Sequence, residues 1–238
     1  MVDVKSIVQS MNSYKDLEKY INLSSVDVIM KVVKAHSLGQ RICYTSILFY
    51  YEFKVSLKEE TEELIVIFAS IYLGGISSGI QTNQSSILSL VKKFLEIEND
   101  EFDEEKCLQQ GNELIFNLTY ELEFNIGPPK TYDIFKSIVE KYKINSKDAT
   151  VFQSIINDFA HYTIAVFLFT DEEIVYSALY IFCIINRSYV DSSLTYQIDV
   201  DKFIELFKSK FKIENYLFDG ILFLSDILLD HYENSTSQ

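Results

Sequence analysis

The chain has 238 residues, 48% hydrophobic and 14% aromatic, enough to bury the core of one or two domains and to exclude disorder for all but its ends. Seven glycines and two prolines are too few for the many turns of a β-sandwich or barrel. A net charge of −14, from 21 Lys+Arg against 35 Asp+Glu, argues against bulk affinity for nucleic acid or an anionic membrane face.

Residues 3–21 read as an amphipathic helix through Val4, Ile7, Val8, Met11, Leu17 and Ile21. The polar tract 24–27 can cap the next helix, which carries Val28, Ile29, Val32 and Val33 and stops near Gly39. Residues 40–53 leave little polar face, which predicts a central helix. Acids in 58–63 suit the entry of an apolar helix over 64–73, ended by Gly74 and Gly75. A polar stretch leads into a helix over 87–97, an acidic loop over 98–105 and a long helix over 103–124. Gly127, Pro128 and Pro129 then make the firmest break in the chain, since proline cannot continue a helix.

Beyond the break the order recurs. A helix over 132–142 is amphipathic, 149–169 is long and mostly apolar, and Thr170 with Glu173 forms a capping-box pattern ahead of a buried helix over 174–186. Helices over 199–207 and 214–231 follow. The pattern predicts an all-α protein of two tandem five-helix bundles behind an N-terminal helix. The divisions expected are 1–23 for that helix, 24–127 and 128–231 for the bundles, and 232–238 for a polar, disordered tail.

No apolar run reaches the ~20 residues of a bilayer span and no signal-like start is visible, so no membrane segment is expected. Cys43, Cys107 and Cys183 are far apart, each inside an apolar helical pattern, which predicts neither disulfide nor metal site and a reducing compartment. His36, His161 and His231 lie in separate segments with no second ligand at helical spacing. The acidic run 100–105 superficially resembles a magnesium motif of helical synthases, yet no second acidic motif stands opposite it. Phosphate loops, nucleophile elbows and Cys/His pairs are missing from the sequence. No enzyme, cofactor or metal is expected.

Two five-helix halves behind one N-terminal helix resemble a cyclin, and individual residues add to the likeness. Glu113 is followed by Leu122 nine residues on, Phe124 eleven on and Pro129 sixteen on. The fifth helix of a cyclin box begins near a glutamate followed by an aromatic and an apolar residue at the first two spacings, and transcription-type cyclins place a proline at the third. Residues 157–171 are similar to the second-repeat helix of such cyclins. The likeness covers roughly residues 25–230. Three places depart from it: Leu122 is apolar where the family has an aromatic, Gly75, Ile76, Ser77 and Ser78 stand where the family has Lys-x-Glu-Glu, and Asn117 stands where an apolar contact is usual.

The resemblance implies a nuclear regulatory subunit, of the transcription-regulating or cell-cycle kind, that forms a heterodimer with a cyclin-dependent protein kinase. It implies a kinase-binding surface of Tyr72, Gly75, Ile76, Glu113, Asn117 and Phe124, with no direct nucleic-acid contact. Loss of the lysine at Gly75 leaves a shifted contact set, a replacement charge from Lys92 or Lys93, or a protein that no longer activates a kinase. Residue types alone favour a core role for Tyr72, Ile76 and Phe124, and a solvated helix acid for Glu113. The alternatives are a transcription factor IIB-like DNA clamp and a kinase-independent helical adaptor. The clamp needs a basic face, and only Lys141, Lys143 and Lys147, with Lys202, Lys208, Lys210 and Lys212, concentrate positive charge.

Overall fold

Every regular element is helical among the residues that the computed structural model describes, 22–56, 61–98, 102–163, 165–191 and 200–236. The helix expected over 3–21 lies outside them. The chain divides into two units, Met1–Pro129 and Lys130–Gln238, two residues beyond the boundary expected at 127/128.

The first unit contains α1 (Leu23–Ala35), α2 (Gln40–Ser56), α3 (Glu63–Ser77), α4 (Gln84–Phe94) and α5 (Glu104–Glu121). Its centre is α3 rather than the expected 40–53: α3 packs against all four of the others. The eight residues from Leu64 to Ile71 are all buried, as a helix surrounded on every side requires. Gly74 and Gly75 do not end this helix, which runs on to Ser77. A Cβ on Gly74 would stand 2.4 Å from Ser46 Oγ and 3.1 Å from Ser46 N, so glycine serves there to let α2 approach. Glu63, in the first turn of α3, ties three helices together. It accepts hydrogen bonds from the Ser25 hydroxyl, from Tyr50 Oη at 2.6 Å and from Lys54 Nζ at 3.0 Å. Burial pushes the Glu63 carboxyl up, but those donors outweigh it and hold the group below its ordinary value.

Helix ends differ from expectation where short side chains and left-handed residues act. Asn22, not the 24–27 tract, caps α1 by accepting from Ser25 N. Asn83 caps α4 from Ser86 N at 2.9 Å, so this helix starts three residues early, and it closes at Phe94 with Glu96 at φ 56°. The prolines do not terminate α5. It stops at Glu121, and Glu123 and Phe124 are both left-handed, at φ 52° and 61°, with Phe124 N donating to Thr119 O at 2.9 Å.

The second unit contains α6 (Thr131–Lys141), α7 (Ser146–Tyr162), the single turn α8 (Ala165–Leu168), α9 (Asp171–Ile185), a 3-10 turn (Arg187–Tyr189), α10 (Val200–Phe211) and α11 (Asn215–Thr236). Here α9 is central. It packs against α6, α7 and α11, and its Tyr180 ring meets Phe203 and Phe207 of α10 at 5.9 and 5.1 Å between centroids. The expected helix over 149–169 is broken at Thr163, which is extended. Its hydroxyl donates to Phe159 O at 2.6 Å and accepts from Ala165 N at 3.1 Å, replacing the helical bonds locally. Thr170 and Glu173 form the expected capping box at the start of α9. The tail expected to be disordered from 232 is helical to Thr236, and Tyr232 donates its hydroxyl to Asp158 of α7.

Candidate functional site

The residues that the cyclin resemblance points to lie on α3, α5 and the turns after them. Asp103 caps α5 by accepting from Lys106 N at 3.0 Å. Cys107, Gly111 and Leu118 are buried and turn one side of the helix inward. A Cβ on Gly111 would lie 2.4 Å from Phe68 Cε1, so α5 presses its backbone onto an α3 ring. Glu62 and Leu64 share an open cleft of about 520 Å³ with Asp103, Lys106 and Cys107. Further along, Phe68 meets Gly111, so α3 and α5 run side by side in the same direction.

That orientation sorts the six expected residues. Tyr72 is half-buried, its ring stacked on Phe68 at 6.1 Å. Gly75 is buried beneath the α3–α4 turn, where a Cβ would meet Ile80 O at 3.3 Å and Thr82 at 3.4 Å. Gly75 offers no side chain to the surface, and Tyr72 exposes only part of its ring. Glu113 and Asn117 are exposed one turn apart on α5, and Gln109 Nε2 donates to Glu113 Oε1 at 3.0 Å. Ile76 is 43% exposed at the end of α3, and Phe124 is 65% exposed beyond the end of α5. Glu113, Asn117, Ile76 and Phe124 are therefore exposed, while Tyr72 and Gly75 are packed in part or in full. The Lys92 ammonium stands 3.9 Å over the Phe102 ring, ahead of the first turn of α5.

Sequence reasoning missed two residues. Phe116 and Tyr120 are 63% and 67% exposed, and with Glu113 and Asn117 they fall at i, i+3, i+4 and i+7 on one stripe of α5. Residues 107–129 hold no lysine, arginine or histidine, while Glu113, Glu121 and Glu123 are exposed among them. The stripe is thus aromatic and acidic, about 10 Å from Glu113 to Tyr120 at the helical rise. A helical wheel of α5 built on Cys107, Gly111 and Leu118 finds both aromatics. Asn112 and Gln84 exchange side-chain hydrogen bonds, the shorter 2.8 Å, and fasten α4 beside the stripe.

The cleft at the other end of α5 has no activated nucleophile. Burial, with the Glu62 and Asp103 carboxylates nearby, pushes the Cys107 thiol up and keeps it protonated. Among the described residues no group of His, Cys, Asp and Glu is arranged to hold a metal ion, and no helix is long and apolar enough to cross a membrane. No protein-family model and no curated protein sequence matches this chain.

Proposed function

We propose that the chain is a cyclin-like regulatory subunit that binds and activates a cyclin-dependent protein kinase of the transcription-associated type, its two units being tandem cyclin-box bundles. The exposed stripe of Glu113, Phe116, Asn117 and Tyr120 carries this reading. A regulator of this kind performs no chemistry. Its effect is the difference between its affinities for the active and inactive kinase, so it needs a surface that is apolar, exposed and already ordered. Gly111 against Phe68 and the paired amides of Gln84 and Asn112 hold the stripe in place without using any of its own apolar side chains. The partner helix would meet aromatic rings flanked by Glu113, in place of the family lysine that Gly75 has lost, and so with a shifted contact set.

The test is co-purification of the intact chain with individual cyclin-dependent kinases, followed by a substrate-phosphorylation assay. One of them is expected to co-elute and gain activity. Changing Phe116→Ser and Tyr120→Ser together should weaken that complex about 30-fold, the worth of one interface hot spot of ~2 kcal/mol, while leaving the melting temperature unchanged. If no such kinase co-elutes, or the double variant binds as well as the parent, the reading fails.

A further inference from the structure

The two modest concentrations of lysine in the sequence become one surface in the second unit. Tyr142, following α6, places its ring 4.6 Å from Phe211 at the end of α10, and its hydroxyl donates to Lys210 O at 3.3 Å. Lys210 Nζ in turn donates to Val190 O at 3.4 Å, just past the 3-10 turn. Asn145 Nδ2 donates to Tyr189 Oη at 3.0 Å, and Tyr189 donates to Asp148 Oδ2 at 2.8 Å, which closes the set back onto the start of α7. Segments 140–148, 187–191 and 208–214 are thereby pinned at one corner. They carry Lys141, Lys143, Lys147, Arg187, Lys208, Lys210 and Lys212 against four carboxylates, whereas the rest of the chain carries 14 cations against 31.

Helix termini explain part of this charge, because cations suit the carbonyl ends of α6 and α10. They do not explain Lys143, Lys147 and Lys212, which lie outside both helices and are exposed. Lys143 and Lys212 are left-handed, at φ 53° and 58°, each directly before a buried isoleucine, Ile144 or Ile213. Glycine or asparagine is the easier residue at such a position. The same strained placement of lysine occurs at both turns that meet here. Among the described residues none of the six lysines is in an ion pair.

We propose that this corner of the second unit is a docking surface for a short acidic peptide segment of a partner protein. A carboxylate-rich segment a few residues long fits within the corner. A nucleic-acid duplex extends past it onto a surface with twice as many acids as bases and is repelled there. The surface is independent of the α5 stripe, so either can fail alone.

The experiment uses the full chain and a fluorescein-labelled octaglutamate peptide, read by fluorescence anisotropy at about 0.15 M salt, where distant surface charges are screened. Saturable binding is expected. Reversing Lys143, Lys147 and Lys212 together to glutamate should weaken it about tenfold or more, and the same three changed to glutamine should weaken it less but in the same direction. A control variant with Lys31, Lys34 and Lys93 reversed has the same net charge and should change affinity by less than about threefold. A labelled DNA duplex should bind more weakly than the peptide. The proposal is overturned if octaglutamate does not saturate, if the control loses as much as the corner variant, or if the duplex binds more tightly.

Discussion

Glu52 lies on α2 with its carboxyl mostly buried, and no hydrogen bond or ion pair reaches it among the described residues. Burial alone pushes the group from its ordinary 4.5 up to about 7. An acid whose folded value is raised contributes stability below its unfolded value and loses it as pH rises through the folded one. Between pH 4.5 and 7 the folded state is therefore penalised for ionising Glu52. At 1.36 kcal/mol for each pH unit between the two values, the penalty is about 3 kcal/mol by pH 8. Glu52→Gln removes the charge and keeps the shape, and a buried amide carries much the same desolvation cost as a buried neutral acid. The variant should match the parent at pH 4 and exceed it by about 3 kcal/mol at pH 8, a shift of roughly 1 M in urea midpoint at an m-value near 3 kcal/mol/M. Urea titrations followed by circular dichroism from pH 4 to 8 supply the curve. A gain that does not grow with pH would refute the account, and so would a loss at pH 8.

Gly111→Ala puts a methyl group inside the radius of a Phe68 ring that is fully buried and has nowhere to swing. Overpacking should outweigh the helix propensity gained and cost about 1–2 kcal/mol in thermal unfolding, with Phe68→Leu recovering part of it in the double variant. Thr170→Ala removes the hydroxyl that caps α9 and should cost about 1 kcal/mol in urea unfolding, while Thr170→Ser stays near the parent because it keeps the acceptor for Glu173 N.

Helix identity and order were legible because apolar periodicity is strong and few glycines or prolines intervene. The capping box at Thr170 was legible for a local reason: both of its partners lie within four residues. What escaped depends on contacts between distant segments. Gly74 looked like a terminator, and only the backbone of Ser46 shows that it is a point of close approach. Thr163 breaks a helix through one hydroxyl that its neighbours do not reveal. On α5 a small residue, Gly111, marks the inward face, and the large Phe116 and Tyr120, which the sequence reading passed over, lie on the exposed one. Glu113 and Asn117 were placed from spacing alone and are exposed, whereas Tyr72 and Gly75 turned out to be packed. The two groups of lysines lie some 60 residues apart in sequence and are brought together by Tyr142, which meets Phe211 and the Lys210 carbonyl.

The two units share an order of helices but not a distribution of exposed apolar groups. In the second unit Val151, Ile185, Val200 and Tyr216 are exposed singly, each on a different element, which any soluble surface tolerates. In the first, Phe116, Tyr120 and Phe124 follow one another at four-residue intervals. Folding does not ask for this arrangement. The inner side of α5 is already occupied by Cys107, Gly111 and Leu118, and the left-handed pair Glu123 and Phe124 follows the helix with a ring that is 65% exposed. Two aromatic side chains on one stripe of α5 and a third just past its end, in a segment 107–129 without a cation, are costs to solubility that the first unit carries without a structural return. Such a stripe suits the docking proposed above, in which a partner helix brings apolar and basic side chains at matching spacing.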